Sequence, residues 1–155
     1  MASTNLEISG ITVDIQNATV RITEHHSTAA APGGPILPAT SNQLIQTDQA
    51  WDIWFKWDQV AGSFLLNGGQ WVFDVYLELM GPDEAAATKG HFTKTINATP
   101  VNGNNYETYV HVNAGEVAAG TYRIVVSQQF HSLGKPRALA LFGDIGLVKF
   151  YEEEV

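Results

Sequence analysis

The dominant spacing of hydrophobic and polar positions along the chain is two, not 3.6. Successive side chains of an extended strand point to opposite faces, so this alternation predicts half-buried strands rather than helices. Ile11, Val13 and Ile15 share one phase, and Val20 and Ile22 take the opposite one. The phase flips across "QNAT", which predicts a bulge or sharp bend near Asn17. In Trp51–Trp57, Trp51, Ile53, Phe55 and Trp57 face one way, while Asp52, Trp54 and Lys56 face the other. In Gln70–Met80, Trp71, Phe73, Val75, Leu77 and Leu79 are in one phase, opposite Val72, Asp74, Tyr76, Glu78 and Met80.

The second half reads the same way. Strands over His91–Thr99 and Tyr106–Asn113 flank Asn102-Gly103, a good hairpin turn because both residues tolerate positive φ. Tyr122, Ile124 and Val126 enter a further strand, and "RALALF" and "IGLVKFYEEE" supply one or two closing strands around Gly143-Asp144. Between the strands lie a long loop at residues 25–42, with three prolines and two glycines, and a connection containing "SFLL" that should fold back onto the sheet edge. A short helical turn is placed only at Pro82–Thr88. No internal repeat or linker divides residues 1–155. About eight short strands separated by turn residues predict an all-β fold, a single antiparallel β-sandwich that is immunoglobulin-like or jelly-roll-like. Its core should hold Trp51, Phe55, Trp57, Trp71, Phe73, Val75, Leu77, Tyr122, Ile124 and Val126.

Within that pattern, "AGEVAAGTYRIVV" at residues 114–126 resembles the E-to-F corner of immunoglobulin-like and fibronectin-like bacterial domains. There a glycine and a tyrosine begin the penultimate core strand. The resemblance implies the sandwich superfold alone, because a fold of this kind hosts many functions.

Composition narrows the function classes. Of 155 residues only 15% are charged, against a usual share of about 25%. The net charge is −8 and the basic residues do not cluster, which argues against phosphate-backbone binding and against anionic membrane surfaces. The absence of cysteine excludes disulfides, thiolate chemistry and Cys-ligated metals. "MASTNLEISG" has neither the basic nor the apolar region of a secretory signal, and no run approaches 18 apolar residues, so a cytoplasmic protein is expected.

The search for chemistry is largely negative. There is no Gly-x-Ser-x-Gly elbow, phosphate-cradling loop or His-Glu-x-x-His. Asp74 and Glu78 share a face but lie roughly 13 Å apart along a strand, too far for a glycosidase pair. Asp52 could approach Asp74 if their strands are neighbours. On the proposed hairpin His111 falls near Lys94, three positions from His91, and His25, His26 and His131 complete the histidines. No cofactor is expected, and a small hydrolase or metal protein is the third choice.

The aromatic surface is the better lead. If the Trp51 and Trp71 strands pair, Trp54, Val72, Tyr76 and Met80 sit together on one outer face, with Tyr109 in the minority phase of its own strand. Three roles for Trp54 follow: core under a covering loop, an anchor for protein–protein contact, or a platform for sugar rings. The leading expectation is a non-enzymatic binding or structural protein whose partner is another protein or a further copy of itself in a self-assembling homo-oligomer. A carbohydrate-binding module is the alternative. The apolar, low-charge segment Leu6–Ile15 is the best edge strand for pairing with another chain.

Overall fold

The computed structural model describes residues 13–25, 43–81 and 90–153. Among them the fold is all β, with no α-helix. Eight strands form two sheets: β1 (Asp14–His25), β2 (Leu44–Gln46), β3 (Ala50–Ala61), β4 (Gln70–Leu79), β5 (His91–Asn97), β6 (Asn104–Val112), β7 (Gly120–Ser132) and β8 (Lys135–Tyr151). One sheet has the order β1-β3-β6 and the other β2-β8-β7-β4-β5. All pairings are antiparallel except β2–β8, where Leu44–Gln46 runs parallel to Lys149–Tyr151. The expectation of a purely antiparallel fold is corrected at that edge.

The two sheets face each other over one core. Trp57 packs on Trp71, Phe55 on Phe73 and Trp51 on Phe150, all at ring-centroid separations of 4.7–6.0 Å. All ten residues that the alternation assigns to the core are buried in this cluster. The phase flip at "QNAT" is a real irregularity: Asn17 has φ 52°, and the β1–β3 register shifts between Gln16 and Thr19. Asn tolerates this left-handed conformation better than most residues, and its side chain donates to Asp58 Oδ2 at 2.8 Å.

Two expectations about connections are overturned. β5 and β6 do not form a hairpin. β5 pairs with β4 and β6 with β3, so the chain through Asn102-Gly103 crosses from one sheet to the other. That crossing is tied down at Gln59. Gly103 N–H donates to the Gln59 carbonyl (2.7 Å), and the Gln59 amide donates to the Thr99 and Val101 carbonyls. Next, β3 and β4 do not pair but face each other across the core. The closing region, expected as one or two strands, is one continuous 17-residue strand, β8, with a bulge opposite Ile124/Val125. "SFLL" forms a 3-10 turn whose Leu66 enters the core while Phe64 and Leu65 remain exposed. The loop at 26–42, the turn at Pro82–Thr88 and residues 6–12 of the N-terminal segment lie outside the described residues.

The corner between β6 and β7 has a specific lock. Tyr122, fully buried, donates its hydroxyl to the Ala118 carbonyl at 2.9 Å, four residues upstream. Burial raises its pKa, because the phenolate would lose its hydration.

Candidate functional site

The expected face of Trp54, Val72, Tyr76 and Met80 does not exist as one surface. Because β3 and β4 belong to different sheets, Trp54 sits on the outer side of the three-stranded sheet and Val72 and Tyr76 on the outer side of the five-stranded sheet. Met80 follows the end of β4 and is exposed. Asp52 and Asp74 are separated for the same reason.

On the three-stranded sheet, cross-strand pairing places Arg21, Trp54 and Tyr109 in one row and Thr23, Asp52 and His111 in the next. Trp54 and Tyr109 do come together, with centroids 5.1 Å apart. Trp54, however, is only 5% exposed, and Asp52 is fully buried. Of the three roles open to Trp54, burial fits the core reading and not an exposed anchor or sugar platform. His111 Nδ1 lies 2.8 Å from Asp52 Oδ1. Lys94, on the inward phase of β5, reaches across the seam between the sheets, donates to the Tyr109 carbonyl at 2.7 Å and stands 4.6 Å over the Tyr109 ring. Partial burial lowers the Lys94 pKa, and the charge of nearby Asp52 opposes that shift. Trp54 and Asp52 are covered on this face, and Trp54 Nε1 and Arg21 Nε are buried there without a hydrogen-bond partner among the described residues.

The five-stranded sheet differs. Its outer rows run His91–Tyr76–Val125–Asp144 and Thr93–Asp74–Ser127–Phe142, with Glu78–Arg123–Leu147 alongside. Tyr76 (44%), Phe142 (82%) and Leu147 (55%) are exposed, as is Val125. Tyr76, Val125 and Phe142 are cross-strand or diagonal neighbours, and Leu147 lies beyond the Arg123–Asp144 pair. The Tyr76 ring is held in place: it stacks on His91 at 4.5 Å and 7°, and His91 Nε2 lies 2.6 Å from Asp74 Oδ1. At the other side Arg123 donates to Asp144 through Nε and Nη2. That bond holds the Asp144 carboxyl below its ordinary range and raises the arginine. Between these flanks lies a groove of about 640 Å³ lined by Asp74, Tyr76, Val125, Ser127, Gln129 and Phe142.

Of the residues expected at the site, Tyr76 belongs to this patch, Val72 is half-buried in the next row, and Trp54 and Tyr109 are on the far side. Phe142, Val125 and Leu147 were missed. Their signal was present: Phe142 is out of phase with Leu139 and Leu141, and Val125 with Ile124 and Val126, so both had to point outward from a strand. Among the described residues no group of three or more His, Asp and Glu is arranged to hold a metal ion, and no helix is long and apolar enough to cross a membrane. In comparison with known proteins, no family model and no curated protein matches this chain.

Proposed function

We propose that this is an immunoglobulin-like β-sandwich that works by binding rather than catalysis, and that the outer face of its five-stranded sheet docks a second copy of the chain. The strand order and the Tyr122–Ala118 corner support the fold reading, since a tyrosine opening the penultimate strand and bonding back to upstream backbone is a hallmark of such sandwiches. The functional reading rests on one observation, the exposed Tyr76–Val125–Phe142 cluster flanked by charged groups, with Leu147 beyond the Arg123–Asp144 pair. An apolar centre with a polar rim is the anatomy of a protein interface. The rim carries both signs, with Arg123 beside Glu78 and Asp144, so a two-fold related copy can meet opposite rather than like charges.

The groove beneath Tyr76 and Phe142 favours a second reading. Two aromatic rings with Asp74, Ser127 and Gln129 between them suit a polysaccharide. Light scattering separates the two. Self-docking predicts a dimer or larger species that Phe142→Asp converts to a folded monomer. A wild-type monomer that binds polysaccharide through Tyr76 gives the site to sugars instead.

A further inference from the structure

Gln128 is one of several side chains with a buried polar atom that lacks a hydrogen-bond partner among the described residues, and it lines a cleft. It follows Tyr122, Ile124 and Val126 on the inward phase of β7 and is 4% exposed. Its Nε2 has no hydrogen-bond partner among the described residues. Gln59, equally buried, shows how the same amide is accommodated elsewhere: it accepts from Trp57 Nε1 and donates to the Thr99 and Val101 carbonyls. A buried amide donor without a partner carries a desolvation penalty that a ligand's hydrogen-bond acceptor would relieve.

The surroundings of Gln128 are open on one side. It lines a cleft of about 100 Å³ at the seam between the sheets, walled by Val20 of β1, Phe55 of β3, Val126 of β7 and Leu141 of β8. The seam stays unsealed there because β2 pairs with β8 only at Lys149–Tyr151, and β1 is displaced by its bulge between Gln16 and Thr19. Gly143 forms part of the wall. A Cβ on it would lie 3.1 Å from Val126 Cγ2 and 3.3 Å from Val20 Cγ1, so a side chain at this position would crowd the opening.

We infer that the β1–β8 seam is a binding site for a small, mostly apolar molecule carrying one hydrogen-bond acceptor, which the Gln128 amide engages. The size sets the class. Apolar cavities of about 150 Å³ hold benzene, so this cleft suits a short-chain or small-ring ketone, ester or alcohol. The acceptor is required because a hydrocarbon would leave Nε2 as it is. The cleft adjoins the exposed patch, with Phe142 and Gly143 lining both, but the inference rests on Gln128 and not on the docking proposal.

The test is titration of the full chain with cyclopentanone and with cyclopentane, observed by NMR at the backbone amides of Val20, Val126 and Leu141 and, in the wild type, also at the side-chain amide of Gln128. Cyclopentanone should give a saturable shift, and cyclopentane should bind about tenfold more weakly, the worth of one hydrogen bond. Gln128→Leu, which keeps the shape and removes the donor, should abolish the preference for the ketone. Gly143→Ala, with wild-type spectral dispersion, should weaken both ligands. Equal affinity for the two molecules, no saturable shift, or a ketone preference that survives Gln128→Leu would each overturn the inference. So would an ordered water on Nε2 that cyclopentanone fails to displace.

Discussion

The outer faces of the two sheets begin from the same local rule and end differently. Each takes the side chains that alternate away from the core, and each includes an aromatic among charged neighbours: Trp54 between Asp52 and Lys56, and Tyr76 between Asp74 and Glu78. On the three-stranded sheet the tryptophan is covered, Tyr109 packs on it, and Asp52, His111 and Lys94 fill the space around it. On the five-stranded sheet Tyr76 is stacked and oriented by His91 but remains open, beside an almost fully exposed Phe142. An outward-pointing aromatic is therefore not itself a binding residue. What distinguishes the two is whether the edges beside it are closed by other parts of the chain.

The sharpest way to break the comparison is truncation on each face. Trp54→Ala should destabilise the fold by about 3–5 kcal/mol, as for a buried large aromatic, measured by denaturant unfolding. A loss below about 1 kcal/mol would place Trp54 with the exposed aromatics. Phe142→Ala should alter stability by no more than about 0.5 kcal/mol. It should instead weaken self-association by about 2 kcal/mol, roughly thirtyfold, in sedimentation or light scattering.

Acidity offers a finer distinction. Lys94 has a lowered pKa in the folded chain, so between that value and its ordinary one the unfolded state binds more protons. Stability should consequently rise with pH across that window, and Lys94→Met should flatten the rise. Tyr122 works in the opposite direction. Its raised pKa means that the unfolded state loses its proton first, so stability falls as pH climbs past the ordinary tyrosine value. Melting curves taken below about pH 10 isolate the lysine. The smallest effect is expected at the exposed Arg123–Asp144 pair, where Asp144→Asn should leave melting nearly unchanged because solvent and salt screen such pairs. A clear loss of self-association in the same variant would put the pair inside the interface.

Much of this molecule was legible before its structure, and the limit falls at a definite place. Alternation is a local property, so Trp51, Phe55, Trp57, Trp71, Phe73 and Val75 could be assigned to the core from their phase alone, and the break in phase located the irregularity at Asn17. The glycine and tyrosine before Ile124 marked a corner that is closed by the Tyr122–Ala118 bond. Phase also separates inward from outward along any one strand, which is why Phe142 could have been found.

Phase does not say which strands are neighbours. Pairing joins segments far apart in the chain, and Trp51–Trp57 has an equally good hydrophobic face whether it pairs with the strand after it or stands opposite that strand across the core. Only the tertiary structure set β3 between β1 and β6 and β4 between β7 and β5. That choice moved Trp54 and Tyr76 to opposite sides of the protein. It also sent β5 and β6 into different sheets despite a good turn sequence between them, and the crossing is held by Gln59, whose backbone carbonyl accepts from Gly103 and whose side-chain amide donates to Thr99 and Val101, about forty positions away. The alternation in the sequence determined each strand's faces, and long-range pairing determined which of those faces became core, covered surface or open patch.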